Sequence, residues 1–257
     1  MRRLLLVLLA TLPVSAAGAD TAETVRFITC PIYRDTDAGK KSGCWLADDR
    51  ASGRRFDVSR APSKPDWNFE ILVEGRVAAE TRSNCGGEVL EPVRTSVLPT
   101  PCPRHMLPAE GFAGNRFALP VRNVRPLSEK RTPPAPPFAD KTFHLVFDFD
   151  KAFVVYQLDD YLLDQAITWI RGVDPKRVIV TGWAATDPAE VSGRAIAEDP
   201  AIARTRAELV GEALRRLGVA ADKIELRWKT AAQPVAADGA DGLAEPSRRR
   251  ADIEVEL

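Results

Sequence analysis

Phe143-His144-Leu145-Val146-Phe147-Asp148-Phe149-Asp150-Lys151-Ala152 decides how the last third of this 257-residue chain is read. Phe143, Leu145, Phe147 and Phe149 alternate as in a strand that buries one face. Beyond it the period changes. Leu158, Leu162, Ala166 and Ile170, with Leu163 and Ile167 beside them, recur at helical spacing, and Gly172 before Asp174-Pro175 is expected to end that helix. Arg177 to Thr181 is a continuous run that suits a strand covered on both faces. A second helix has Asp199 at its N-cap, Pro200 in its first turn, an apolar stripe through Ile202, Val210, Ala213, Leu214 and Leu217, and Gly218 just past its end. Ile224, Leu226 and Trp228 alternate in the next strand, and Ile253, Val255 and Leu257 in the last. The order is strand, helix, strand, helix, strand, strand.

Three further segments belong with the entry strand. They are Val180-Thr181-Gly182-Trp183-Ala184-Ala185-Thr186-Asp187, the helix start Ile202-Ala203-Arg204-Thr205-Arg206-Ala207, and the closing Arg248-Arg249-Arg250-Ala251-Asp252-Ile253-Glu254-Val255. In this order and spacing they resemble the peptidoglycan-binding module of the OmpA-like family, the type found at the OmpA C-terminus and in MotB, over residues 143–257 only. The resemblance implies an α+β fold with a mixed β-α-β-α-β-β sheet. It also implies a pocket for the diaminopimelate of a peptidoglycan stem peptide, in which an aspartate meets the ligand ammonium and an arginine fork its carboxylate beside a helix N-terminus. Carried over by motif, those roles fall to Asp187 and Arg206. Arg250 is expected to line or brace the same groove, Trp183 to form a wall of it, and Arg194 to add a second anion contact.

The chain departs from the family pattern between Gly182 and Arg206, where roughly six extra residues are inserted, an addition that costs folding little but moves a site. Anchored on Gly182 instead, Ala185 takes the place of the acid. Arg248 stands where the family has an asparagine. Each residue also has a plain structural reading. Asp187-Pro188 is a common turn opening, Arg206 sits on the first turns of a helix, and Arg248 to Arg250 suit the charged approach to an edge strand. Trp45, Trp67 and Trp183 suit core positions.

The N-terminus has Arg2 and Arg3, an apolar run from Leu4 to Val14 and an Ala17-Gly18-Ala19 cleavage pattern, the form of a secretory signal peptide over residues 1–19. No cysteine follows the apolar run, so no lipoprotein anchor is expected. The four cysteines Cys30, Cys44, Cys85 and Cys102 suit two disulfides in an oxidising compartment, with Cys30–Cys44 and Cys85–Cys102 as the expected pairing. A four-thiolate zinc site lacks its C-x-x-C pairs. Expected location is the periplasm, with outer-membrane association as an option. Lys+Arg and Asp+Glu both number 36, and a net charge of zero argues against nucleic acid and against an electrostatically held membrane protein.

Pro133, Pro134, Pro136 and Pro137 crowd residues 128–140, which read as a semi-rigid linker. Before it, residues 20–127 show short apolar or alternating runs at Val25–Tyr33, Cys44–Ala47, Arg55–Val58, Phe69–Val77, Val89–Val97 and Phe117–Val121, the pattern of a small all-β domain. Phe69–Val77, bent at Gly75, has the look of an OB-type barrel strand. Residues 141–257 are expected to form the domain that resembles the OmpA-like family. No enzyme is expected: the two histidines, His105 and His144, form no ligand motif, Lys41-Ser42-Gly43 has no S-x-x-K to accompany it, and neither cofactor nor metal is called for. The expected work is non-covalent attachment to peptidoglycan, which positions the β domain for an envelope partner. The alternative is an assembly subunit that keeps the fold as a protein scaffold.

Overall fold

The computed structural model describes residues 23–37, 42–79, 84–115, 130–152 and 158–257. The signal-peptide segment, the run at 117–121 and the first part of the linker lie outside the described residues.

In the N-terminal half Phe27, Ile71 and Val73 fall in one apolar cluster and the alternate residues Ile28 and Leu72 in another, so the strands that carry them are covered on both faces. β1 (Thr24–Thr29) and β2 (Pro31–Arg34) are one extended stretch interrupted at Cys30. β1 pairs antiparallel with β5 (Phe69–Val77), while β2 pairs antiparallel with β3 (Cys44–Asp49). β3 continues to β4 (Arg54–Asp57), β4 runs parallel to β6 (Glu88–Pro101), and β6 returns to β5. The two ends of the sheet are thus joined through the chain at Cys30, and β7 (His105–Leu107) adds to β2. Phe27, Phe56, Val58, Ile71, Val73 and Leu90 fill the interior. A register shift falls between Gly75 and Val77, the bend expected there.

The disulfides are Cys30–Cys102 and Cys44–Cys85, which corrects the expected pairing of sequence neighbours. The reason is the strand order. β5 lies between β1 and β6, with Thr29 opposite Ile71 and Phe69 opposite Pro101, so Cys30 and Cys102 flank the same end of β5. Cys44 and Cys85 meet in a small cluster with Ile32 and Leu46.

The C-terminal half has the expected order. β8 (Lys141–Val146), α1 (Leu158–Val173), β9 (Arg177–Trp183), α2 (Ala201–Arg216), β12 (Ile224–Lys229) and β13 (Arg250–Glu256) make a sheet of order β12-β9-β13-β8, with β12 and β9 parallel and β13 antiparallel to both neighbours. Phe143, Leu145, Phe147, Leu162, Val180 and Leu214 belong to one core between the sheet and the two helices. β13 is therefore an inner strand, and the arginines before it do not guard an edge. The insertion after β9 folds as a hairpin, β10 (Ala189–Val191) and β11 (Arg194–Ile196). Ser192 (φ 50°) and Gly193 (φ 76°) form its two-residue turn, and positive φ at both positions is what a tight hairpin turn demands. A short helix, α3 (Ala244–Ser247), precedes β13.

The halves touch directly. Val191 and Ile196 of the hairpin, with Phe149, pack on Ile28, Leu72 and Leu98 of the N-terminal sheet. Arg249 reaches across to Glu74 (2.5 Å), with both side chains at least 96 % buried by exposures of 1 % and 4 %. Arg94 donates to the Gly239 carbonyl at 2.5 Å, Ser63 donates to Asp148 at 2.5 Å, and the Phe149 N–H donates to Ser96 at 2.8 Å. The proline-rich stretch lies against α1: Arg131 pairs with Asp164 at 2.9 Å, Phe138 meets Trp169 edge to face, and Pro134 sits on Gly172. An ordered strap over a helix does not hold the halves apart.

Candidate functional site

Arg206 enters the site from the second turn of α2, and Gly182 makes room for that helix. A Cβ on Gly182 would stand 1.9 Å from the Ala203 carbonyl, so only glycine lets α2 lie this close to β9. Asp199, one residue before the N-cap Pro200, accepts the Ala201 N–H at 2.8 Å and so ties down the helix start. These features deliver the guanidinium beneath the end of β9.

There it is fully engaged. Nε donates to the Lys151 carbonyl (2.9 Å), Nη1 to the Trp183 carbonyl (2.7 Å) and to Glu198 Oε2 (2.9 Å), and Nη2 to the Asp148 carbonyl (3.3 Å) and to Glu198 Oε1 (2.6 Å). An arginine has five N–H donors, and all are taken. Glu198 in turn accepts the backbone N–H of Asp150 and of Ala185, each at 2.8 Å, besides the guanidinium fork. Both side chains are 0 % exposed. Burial pushes the Glu198 carboxyl up. The hydrogen bonds and charge of Arg206, the charge of Arg249 and the Ala185 N–H outweigh that and hold it below the usual glutamate range.

The structure does not assemble the clamp expected from the motifs. Asp187 is 53 % exposed and accepts Arg248 Nη2 at 2.7 Å, with no contact to Arg206. Arg250 is a brace: its Nε donates to Asp252 (2.8 Å) and its Nη1 to the carbonyls of Gln233 (2.9 Å) and Ser247 (3.0 Å). Trp183 donates its indole N–H to Asp252 at 2.7 Å, and Lys229 and Arg250 stand over its ring at 5.1 and 4.9 Å. Arg194 pairs with Glu70 of the N-terminal half at 2.7 Å. Each predicted ligand residue thus has a protein partner.

The residue that sequence reasoning passed over is Glu198. It lies eight positions before Arg206, in the loop between the hairpin and α2, so no single element spans the pair and only the return of the chain makes it close. Its carboxylate occupies the place at the arginine fork where a ligand carboxylate was expected. The anionic partner of Arg249 is likewise distant in sequence; burial pushes that guanidinium down, and the Glu74 charge and hydrogen bonds outweigh it and raise it.

Among the described residues no group of histidine, cysteine or acidic side chains is arranged to hold a metal, and no helix is long and apolar enough to cross a membrane. Nor does the site pair a nucleophile with a base.

Several solved structures are similar to part of the chain. The OmpA-like domain of FopA1 from Francisella tularensis matches 45 % of this chain and 71 % of its own at 18 % identity, with a TM-score of 0.36. The cell wall anchor of the T6SS from Pseudomonas aeruginosa matches 46 % and 82 % at 20 % identity, TM-score 0.35. The peptidoglycan-associated lipoprotein from Burkholderia pseudomallei matches 43 % and 87 % at 29 % identity, TM-score 0.31. No family model and no curated protein matches the chain.

Proposed function

We propose that the protein is a non-enzymatic, wall-associated component of the bacterial periplasm, in which a β domain (residues 20–127), a proline-rich strap (128–140) and an OmpA-like domain (141–257) act as one scaffold. The family's stem-peptide clamp is given over to structure in this chain. Saturation of Arg206 by Glu198 carries the reading, because a ligand carboxylate would have to displace a buried partner that already holds both guanidinium nitrogens. Peptidoglycan remains the partner class, on the resemblance of residues 143–257, and is met by surfaces other than Asp187 and Arg206. The signal-type N-terminus and two disulfides support the compartment. The closed order of strands in the β domain, with its parallel β4–β6 pair, supports the OB-type barrel.

A protein-scaffold role without wall contact is favoured by one observation: the hairpin inserted beside the expected groove is already spent on a protein surface, that of the N-terminal half. Sedimentation of the purified protein with sacculi, in the presence and absence of a diaminopimelate-containing tripeptide, separates the readings. Co-sedimentation that the tripeptide does not compete supports wall association without the clamp. Competition by the tripeptide would restore the clamp, and failure to sediment would leave the protein-scaffold role.

A further inference from the structure

A cavity of about 460 Å³ opens beside β2 and β3, where Trp45 also packs against the interior cluster. Tyr33 of β2 and Trp45 of β3 are opposite one another in register, and the alternate residues Ile32 and Leu46 are buried on the other face. With Trp67 they make a trio of rings whose centroids are 5.2, 5.7 and 6.1 Å apart. All three are partly exposed, and Met106 beside them is 57 % exposed. Read from the sequence, both tryptophans suit the core; Trp45 does pack against the interior cluster, while Trp67 lines the hollow.

A polar chain runs along the same cavity. Asp66 Oδ1 accepts the Asn68 backbone N–H at 2.9 Å and its Nδ2 at 2.7 Å, and Asn68 Oδ1 accepts Arg104 Nε at 2.8 Å. The Arg104 guanidinium stands 5.0 Å over the Trp67 ring. Both indole N–H groups, the Tyr33 hydroxyl, Asp66 Oδ2 and the terminal nitrogens of Arg104 have no hydrogen-bond partner among the described residues. Donors and acceptors left without a protein partner thus border one open, aromatic-lined hollow, with Arg104 at its rim, of a size within the usual range for small-ligand sites.

The set selects its ligand by exclusion. A cation would meet Arg104, and an anion would meet Asp66. A proline-rich peptide lays an extended helix along a groove lined by aromatic rings, whereas these rings meet edge to face at 68°, 84° and 61° in one cluster. A pyranose suits both features: its C–H face packs on aromatic carbon, and each hydroxyl donates and accepts at once. We propose that this cavity is a binding site for a neutral saccharide, through which the β domain holds a glycan. The site depends on the wall-association reading only for the choice of glycan, and soluble sugars test it apart from sacculi.

The full-length protein is titrated with a tetramer of β-1,4-linked N-acetylglucosamine and with maltotetraose, followed by tryptophan fluorescence and calorimetry. Saturable binding of either sugar is expected, weakened at least tenfold by Trp67→Ala. Arg104 is exposed, so Arg104→Ala provides a second variant that leaves the core intact, and a several-fold loss is expected from it. Absence of binding by both sugars, or sugar binding unchanged by both substitutions, overturns the proposal. So does binding of a proline-rich decapeptide in place of sugar, which would assign the cavity to peptides.

Discussion

Arg206 shows how one side chain changes meaning with its neighbours. On the helix surface it would be a solvated cation; in the family's site it would be a ligand grip; here it is a buried tie among the carbonyls of Asp148, Lys151 and Trp183 and the carboxylate of Glu198. Removing one partner of such a pair leaves the other charged and desolvated, so Glu198→Ala is expected to lower stability by about 3–5 kcal/mol in urea unfolding. Asp187→Ala breaks only a half-exposed pair with Arg248 and is expected to cost under about 1 kcal/mol in the same assay. The pH dependence follows from the depressed Glu198 carboxyl. Its contribution is complete above the unfolded glutamate range near about 4.3 and is lost as pH falls through the lower folded value. The thermal midpoint of the wild type should fall as pH is lowered below about 4, and Glu198→Gln should flatten that fall. The motifs pointed to Arg206, yet its partner was illegible, because a carboxylate in an inserted loop carries no periodic mark.

At the level of elements, two glycines in the C-terminal half were legible as landmarks but not both for their reasons. Gly172 was expected to end α1, and instead the helix runs on to Val173, with Asp174 taking the left-handed conformation (φ 45°). Gly172 is small because a Cβ there would meet the ring of Pro134 at 2.3 Å. Gly182 belongs to the motif and works by close approach: Gly182→Ala must push α2 away from β9 and is expected to destabilise by about 1–3 kcal/mol, measured by urea titration. At the second helix Asp199 holds the Ala201 N–H from one residue before the N-cap Pro200, and Gly218 (φ 92°) follows the end as expected, both of which are local chemistry. The disulfides were the opposite case. Cysteine number and compartment follow from composition, but the pairing depends on which strand lies between which, and no local rule encodes that. Replacing Cys30 and Cys102 by serine opens a 72-residue loop and should cost about 2–5 kcal/mol of stability.

Across the whole molecule the two halves meet through an apolar patch at the hairpin and through buried charges paired across the seam. Glu74 serves Arg26 at 3.1 Å as well as Arg249 at 2.5 Å, and Arg94 donates to the Gly239 carbonyl while pairing with Asp148. One cooperative thermal transition is therefore expected for the wild type in calorimetry. Glu74→Ala, which strands the buried Arg249, should split that transition in two or broaden it. Sequence by itself determined the alternation of strand and helix in residues 143–257, the β character of the first half and the end of the second helix at Gly218, because period and capping act over a few residues. Only the tertiary structure decided which cysteines pair, which carboxylate closes the arginine fork, that the inserted loop is a docking hairpin, and that Tyr33, Trp45 and Trp67 share a cavity. Those outcomes depend on residues from different elements being brought together by the fold, and contact between elements leaves no periodic trace in any short stretch of sequence.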